Sequence, residues 1–118
     1  QYLRFVERAR RIIPGVELLS DFIVGFPGET DAEFAETVSL MEQVRFDGAF
    51  VFFYSQRPGT PAVRLADDVP EAVKKERCNR LLALQLSHQE EQHRAYHGRE
   101  VEVLVEGPSR TDPDMLHG

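Results

Sequence analysis

Apolar residues recur at helical spacing at the start of the chain, with Leu3, Val6, Ala9 (beside Phe5), Ile12 and Ile13 on one side and Arg4, Glu7, Arg8 and Arg11 on the other. That pattern predicts an amphipathic helix, which Pro14 and Gly15 stop. Residues 16–24, VELLSDFIV, are apolar at both parities apart from Ser20 and Asp21, the mark of a parallel strand covered on both faces. The turn formers GFPGET follow at 25–30, and Thr30 with Glu33 makes a capping box that opens a second helix running to about Val44. Phe34, Val38, Met41 and Val44 form its buried stripe. A second strand, AFVFFY at 49–54, is again apolar on both faces.

The loop SQRPGTPA (55–62) leaves that strand, and 61–70 continues without periodicity. Pro70 suits a first helical position, and 71–96 reads as one long charged helix with Val73, Leu81, Leu84 and His88 inward and Gly98 at its end. Beyond it Val101, Val103 and Val105 alternate with polar residues, which predicts a half-exposed antiparallel strand and the start of another domain. The fold class is therefore α/β, built as helix, strand, helix, strand and long helix. The expected domains are 1–97 and 98–118.

With 118 residues, 42% hydrophobic and 29% charged, the chain has the size of one globular domain. A net charge of −6 disfavours a dedicated nucleic-acid module, which carries a basic patch, so any nucleic acid would need further binding elements. The single cysteine, Cys78, excludes an internal disulfide or an iron-sulfur or zinc site made from this chain's own thiolates, and reads as a buried small hydrophobe on a helix. His88, His93, His97 and His117 include pairs at helical spacing, but lack the carboxylate or cysteine set of a metal site, so no metal ligand is expected. No signal peptide or membrane span is evident, and the expected location is the cytoplasm. The missing initiator methionine and the orphan final strand suggest a truncated piece.

Ligands of parallel α/β sheets bind beyond the carboxyl ends of the strands, where both unusual loops lie. Gly25 and Gly28 permit sharp turns and close approach, Phe26 and Pro27 offer apolar surface, and Glu29 offers an acceptor for an amine or hydroxyl. The same GFPGET also suits a plain strand-to-helix turn. Asp21, in an otherwise apolar strand, calls for a partner, either a basic ligand group or a neighbouring backbone or basic side chain. Tyr54, Ser55 and Arg57 place an aromatic face, a hydroxyl and a cation together, as an adenosyl group or phosphate needs; a solvent-facing turn would carry them equally well.

Taken in order, SDFIVGFPGET (20–30), FFYSQRPGTPA (52–62), VPEAVKKER (69–77) and VEVLVEGPSRTDPDMLHG (101–118) resemble the radical S-adenosylmethionine methylthiotransferases over essentially the whole chain. The resemblance implies the C-terminal part of a partial TIM-type barrel, followed by the first strand of a TRAM β-barrel that grips tRNA. It implies S-adenosylmethionine and two 4Fe–4S clusters as cofactors of the full-length enzyme, with tRNA and an electron donor as partners. The cluster cysteines would lie upstream, leaving no catalytic residue in this piece, which alone would be inactive. In the full enzyme an electron from the radical cluster splits S-adenosylmethionine, and the resulting radical takes hydrogen from an adenine carbon before sulfur and methyl are delivered.

By that match Asp21, Gly25, Phe26, Pro27 and Glu29 would lie along the S-adenosylmethionine pocket after the fifth barrel strand, and Tyr54, Ser55 and Arg57 would close the same mouth after the sixth. The wider superfamily shows Gly-x-Ile-x-Gly-x-x-Glu here; Asp21 stands at its first glycine and Glu29 falls one place late. The tail GPSRTDPDMLHG resembles the isopentenyladenosine (MiaB-type) group, with Arg99 and Arg110 as phosphate contacts. The alternatives are relatives acting on threonylcarbamoyladenosine in tRNA or on a ribosomal-protein aspartate, a non-catalytic α/β binding module, and a coproporphyrinogen dehydrogenase-type radical enzyme. The last would not carry the TRAM-like start.

Overall fold

Helix α1 (Tyr2–Ile12) opens the computed structural model, which describes residues 1–112 and 114–117. It enters the core through Val6, with Leu3 packed beside it. Phe5, Ile12 and Ile13 remain exposed, so its apolar stripe is wider than the face it buries. Strand β1 (Leu19–Val24), helix α2 (Asp31–Val44) and strand β2 (Gly48–Phe53) then form a parallel β-α-β unit, in register from Leu19 opposite Gly48 to Val24 opposite Phe53.

Both strands start later or end earlier than their apolar runs, and hydrogen bonding decides where. The Leu18 N–H donates to Asp47 Oδ2 at 2.7 Å and the Asp47 N–H to the Leu18 carbonyl at 2.9 Å, so the pairing with 48–53 begins one residue on. Residues 16–18 therefore lie outside β1. At the other end the Tyr54 N–H reaches the Val24 carbonyl at 2.8 Å.

The capping box at Thr30 forms as the sequence requires. The Glu33 N–H donates to Thr30 Oγ1, and the Thr30 N–H donates to the Glu33 carboxylate. Phe34, Val38, Met41 and Val44 are all buried. They pack with Phe22 and Val24 of β1, with Leu81, and with Phe46, whose ring meets Phe22 edge-on at 5.4 Å. Phe46 had no place in the periodic pattern because it sits in a connection and is buried only by the tertiary fold.

A short 3-10 turn, Pro61–Arg64, interrupts the stretch between β2 and the third helix. Helix α3 (Glu71–Arg94) starts with Pro70 at its cap and ends before Tyr96, two residues short of the expected end. Its buried stripe is Lys74, Arg77, Cys78, Leu81, Gln85 and His88. The expected stripe shared only Leu81 and His88 with this; Val73 and Leu84 are half-buried. The difference is that α3 crosses carboxylates and carbonyls at loop ends as well as the apolar core, so charged and amide side chains are buried against partners. Gln85 donates to the Phe46 carbonyl at 2.9 Å.

Phe22 and Val24, the buried residues of β1, and the half-buried Ala49 and Val51 of β2 pack against the core that the helices cover. The opposite face, with Leu19, Asp21 and Ile23 of β1 beside Phe50 and Phe52 of β2, is exposed. The expectation of strands covered on both faces is thus corrected within this chain, because α1, α2 and α3 contribute to a single core. Asp21 is likewise exposed.

The strand expected around Val101, Val103 and Val105 does not form; these side chains are exposed, and 101–105 lacks a ladder partner among the described residues. Alternation prepares a strand face, but a strand exists only with a neighbour to bond. The tail instead makes a two-residue antiparallel ladder between β3 (Gly107–Pro108) and β4 (Leu116–His117). Pro113 and Gly118, which belong to the tail motif, lie outside the described residues. Among the described residues no helix is long and apolar enough to cross a membrane.

His88 gives this core a pH dependence. Its ring is buried with Nδ1 lacking a hydrogen-bond partner, and burial, then the charge of Arg45, holds its pKa below the ordinary 6.5 despite Glu91 and Glu42. The unfolded chain therefore binds the proton more readily, and folding stability is full above the unfolded value and falls as pH drops through the folded one. Urea midpoints should decline between neutral pH and pH about 5 more steeply in the parent than in His88→Met. Identical slopes would show that this ring does not control the loss.

Candidate functional site

The two loops singled out in the sequence meet at the carboxyl ends of β1 and β2. Gly25 leaves β1 with φ +68°, a left-handed conformation that places its backbone against the buried stem of Lys74. Phe26 turns back so that its ring meets Tyr54 edge-on, with centroids 5.1 Å apart. Together these loops rim a cavity of about 650 Å³ lined by Asp21, Ile23, Phe26, Tyr54, Ser55 and Arg57, with Thr60 and Ala62 from the loop beyond. Such a volume suits a nucleoside-sized molecule. The Tyr54 side chain lines this cavity, while its hydroxyl oxygen is itself buried and has no hydrogen-bond partner.

Five of the eight expected binding residues thus share one cavity. Gly25, Pro27 and Glu29 do not line it. Glu29 turns inward: its Oε2 accepts from the Gly25 N–H at 2.6 Å and from Arg77 Nη1 at 2.6 Å. That bonding makes it a brace of its own loop, because the carboxylate oxygen expected to meet an amine is already held by two donors. Arg77 also pairs with Asp31 at 2.7 Å, at the first turn of α2. Burial opposes the charged guanidinium, but the hydrogen bonds it donates to Asp31 and Glu29, with the charges of those carboxylates, outweigh it and hold the pKa of Arg77 above its ordinary value.

A second buried cation, Lys74, lies one turn earlier on α3. It donates to the Tyr54 carbonyl at 3.4 Å, pairs with Asp67, and stands 5.2 Å from the Tyr54 ring centroid. The Gly28 N–H donates to Asp68 Oδ1 at 2.7 Å. Lys74, Arg77, Asp67 and Asp68 were missed in the sequence. For the two cations the signal was available in VPEAVKKER, where Lys74 and Arg77 share the helical face of Cys78 and Leu81 and could have been recognised as basic residues pointing inward.

Cys78 is buried beneath β2, with Sγ 3.7 Å from the Val51 carbonyl, as its helical position predicts. Among the described residues no group of three His, Cys, Asp or Glu side chains could hold a metal ion. Arg99 and Arg110 are both exposed and lie apart from the cavity: Arg99 edges a groove with Glu17, Asp47 and Tyr96, and Arg110 sits in the turn between β3 and β4.

No family model matches the chain. It is similar to proteins named tRNA-2-methylthio-N(6)-dimethylallyladenosine synthase: 54% identical over 99% of this chain and 26% of the protein from Moorella thermoacetica. The corresponding protein of Anoxybacillus flavithermus is 52% identical over 100% of the chain and 22% of its own length. That of Bacillus subtilis is 48% identical over 100% of the chain and 23% of its own length. The chain spans about a quarter of the curated relatives it matches.

Proposed function

We infer from a chain homologous along its whole length to a segment of the tRNA-2-methylthio-N(6)-dimethylallyladenosine synthases that it serves as one wall of the S-adenosylmethionine pocket in a tRNA-modifying methylthiotransferase. The observation carrying this reading is the cavity at the carboxyl ends of the parallel pair, where residues from two separate loops converge. Its chemistry suits the ligand. The Asp21 carboxylate and Arg57 guanidinium complement an α-amine and a carboxylate, and the Phe26 and Tyr54 side chains offer aromatic surface to a nucleoside.

The barrel assignment draws support from the same geometry. Parallel strands whose helices all lie on one side, with an apolar face left on the other, are what a segment of an α/β barrel presents; further strands would close over Leu19, Ile23, Phe50 and Phe52. Residues 1–97 would form this barrel part and 98–118 the start of a TRAM domain, with Arg99 and Arg110 touching tRNA phosphates. When bound, S-adenosylmethionine would supply the group-transfer and radical chemistry. This chain's residues would orient it and exclude water. The 4Fe–4S clusters do not fit here, since the lone cysteine is buried under β2 and clusters need several thiolates.

Equilibrium binding of S-adenosylmethionine to the full-length, cluster-reconstituted protein tests the reading. Asp21→Asn and Arg57→Gln should each weaken binding about tenfold, the scale of one lost charge-assisted hydrogen bond. Parent-like affinity in both variants would remove this cavity as the binding site.

A further inference from the structure

We propose that Lys74 is a positioning residue for the cavity: its ammonium is a clasp that joins the two ends of the loop 55–66. The inference rests on the reading of the cavity as a ligand site, and goes beyond it in assigning what holds one wall in place.

That wall has little of its own to hold it. Ser55, Arg57, Thr60 and Ala62 line the cavity, yet the backbone hydrogen bonds of 55–66 among the described residues are local: Thr60 N–H to the Arg57 carbonyl, Val63 N–H to the Thr60 carbonyl, Leu65 N–H to the Ala62 carbonyl and, at the loop's end, Asp68 N–H to the Ala66 carbonyl. Val63 and Leu65 are exposed, so apolar packing does not hold the loop down either. Its fixed points are its ends. Tyr54, just before it, is tied to β1 by its N–H and to Lys74 by its carbonyl. Asp67, just after it, pairs with the same Lys74 ammonium, and Asp68 accepts from the Gly28 N–H. One buried cation thus touches both ends of the loop, and its stem fills the space under Gly25 at the start of the other loop. A long segment whose anchors are confined to its two ends opens locally when an end is freed, without unfolding the core.

Limited trypsin digestion reads the clasp directly. Arg64–Leu65 is exposed and cleavable, whereas Arg57 is followed by Pro58 and resists, so one peptide reports the loop. In the full-length, cluster-reconstituted protein, Asp67→Asn and Lys74→Met should each raise cleavage at Arg64–Leu65 about tenfold at a melting temperature near that of the parent, and weaken S-adenosylmethionine binding by a similar factor. Lys74→Met keeps the stem beneath Gly25; should it fold poorly, Asp67→Asn, which alters a partly exposed side chain, carries the test. The double variant should show no more than either single one, and Asp67→Glu should restore protection. Unchanged cleavage in well-folded variants would overturn the clasp. So would faster cleavage with parent-like affinity, because the loop would then not be positioning the ligand. Failure of the parent to bind S-adenosylmethionine would instead overturn the reading of the cavity, while the cleavage pattern still judged the clasp.

Discussion

Arg77→Met is expected to lower folding stability by about 3–5 kcal/mol, the range for removing one partner of a buried ion pair. The Arg77 side chain is 7% exposed and that of Glu29 13%, so the abandoned Glu29 carboxylate would have little water to replace the guanidinium. Asp31 is nearly fully exposed and would lose almost nothing, which makes Glu29 the source of the penalty. Arg77 also lies against the Phe34 ring at 5.3 Å, and methionine retains part of that packing. Denaturant unfolding of Arg77→Met, Glu29→Gln and the pair measures the coupling. The double variant should be distinctly more stable than the sum of the single losses implies, because it buries no unpaired charge. Additive losses would mean that the two side chains act independently.

Gly25→Ala is expected to cost about 2–4 kcal/mol, from a left-handed backbone that a Cβ disfavours and from overpacking against Lys74. A Cβ at Gly25 would sit 2.4 Å from Lys74 Cγ, and that stem has no free path of retreat: Lys74 is 5% exposed and its ammonium is held at Tyr54 and Asp67. A melting temperature lower by about 10 °C or more is the expected readout for a domain of this size. Gly28 is the internal control. It too has positive φ, +83°, but a Cβ there would meet nothing within 4 Å, so Gly28→Ala should show the backbone part alone. Equal losses at the two positions would remove the steric half of the argument.

The two substitutions act on the same place, the junction of β1, its following loop and α3, which the sequence showed only from one side. GFPGET announced a turn and a helix start, and both are there. It did not announce that Glu29 would face inward, because the preference of a carboxylate for solvent is overridden only when a cation is brought to it, and Arg77 comes from 48 residues away. Asp21 misled in the opposite direction. Its apolar neighbours suggested burial, yet within this chain the face it occupies stays open.

Local chemistry therefore determined the helices, the capping box at Thr30, the two apolar strands, the stops at Pro14 and Gly15 and the proximity of both candidate loops to strand ends. These depend on side-chain period and on backbone preferences, which act over a few residues. The tertiary structure alone decided which face of the strands is covered, which polar residues of α3 are buried, that Lys74 and Arg77 brace the loops, and that Val101, Val103 and Val105 remain without a strand. Each of those depends on a partner distant in sequence, and the free energy of a buried charge or an unpaired backbone is set by that partner rather than by the residue itself.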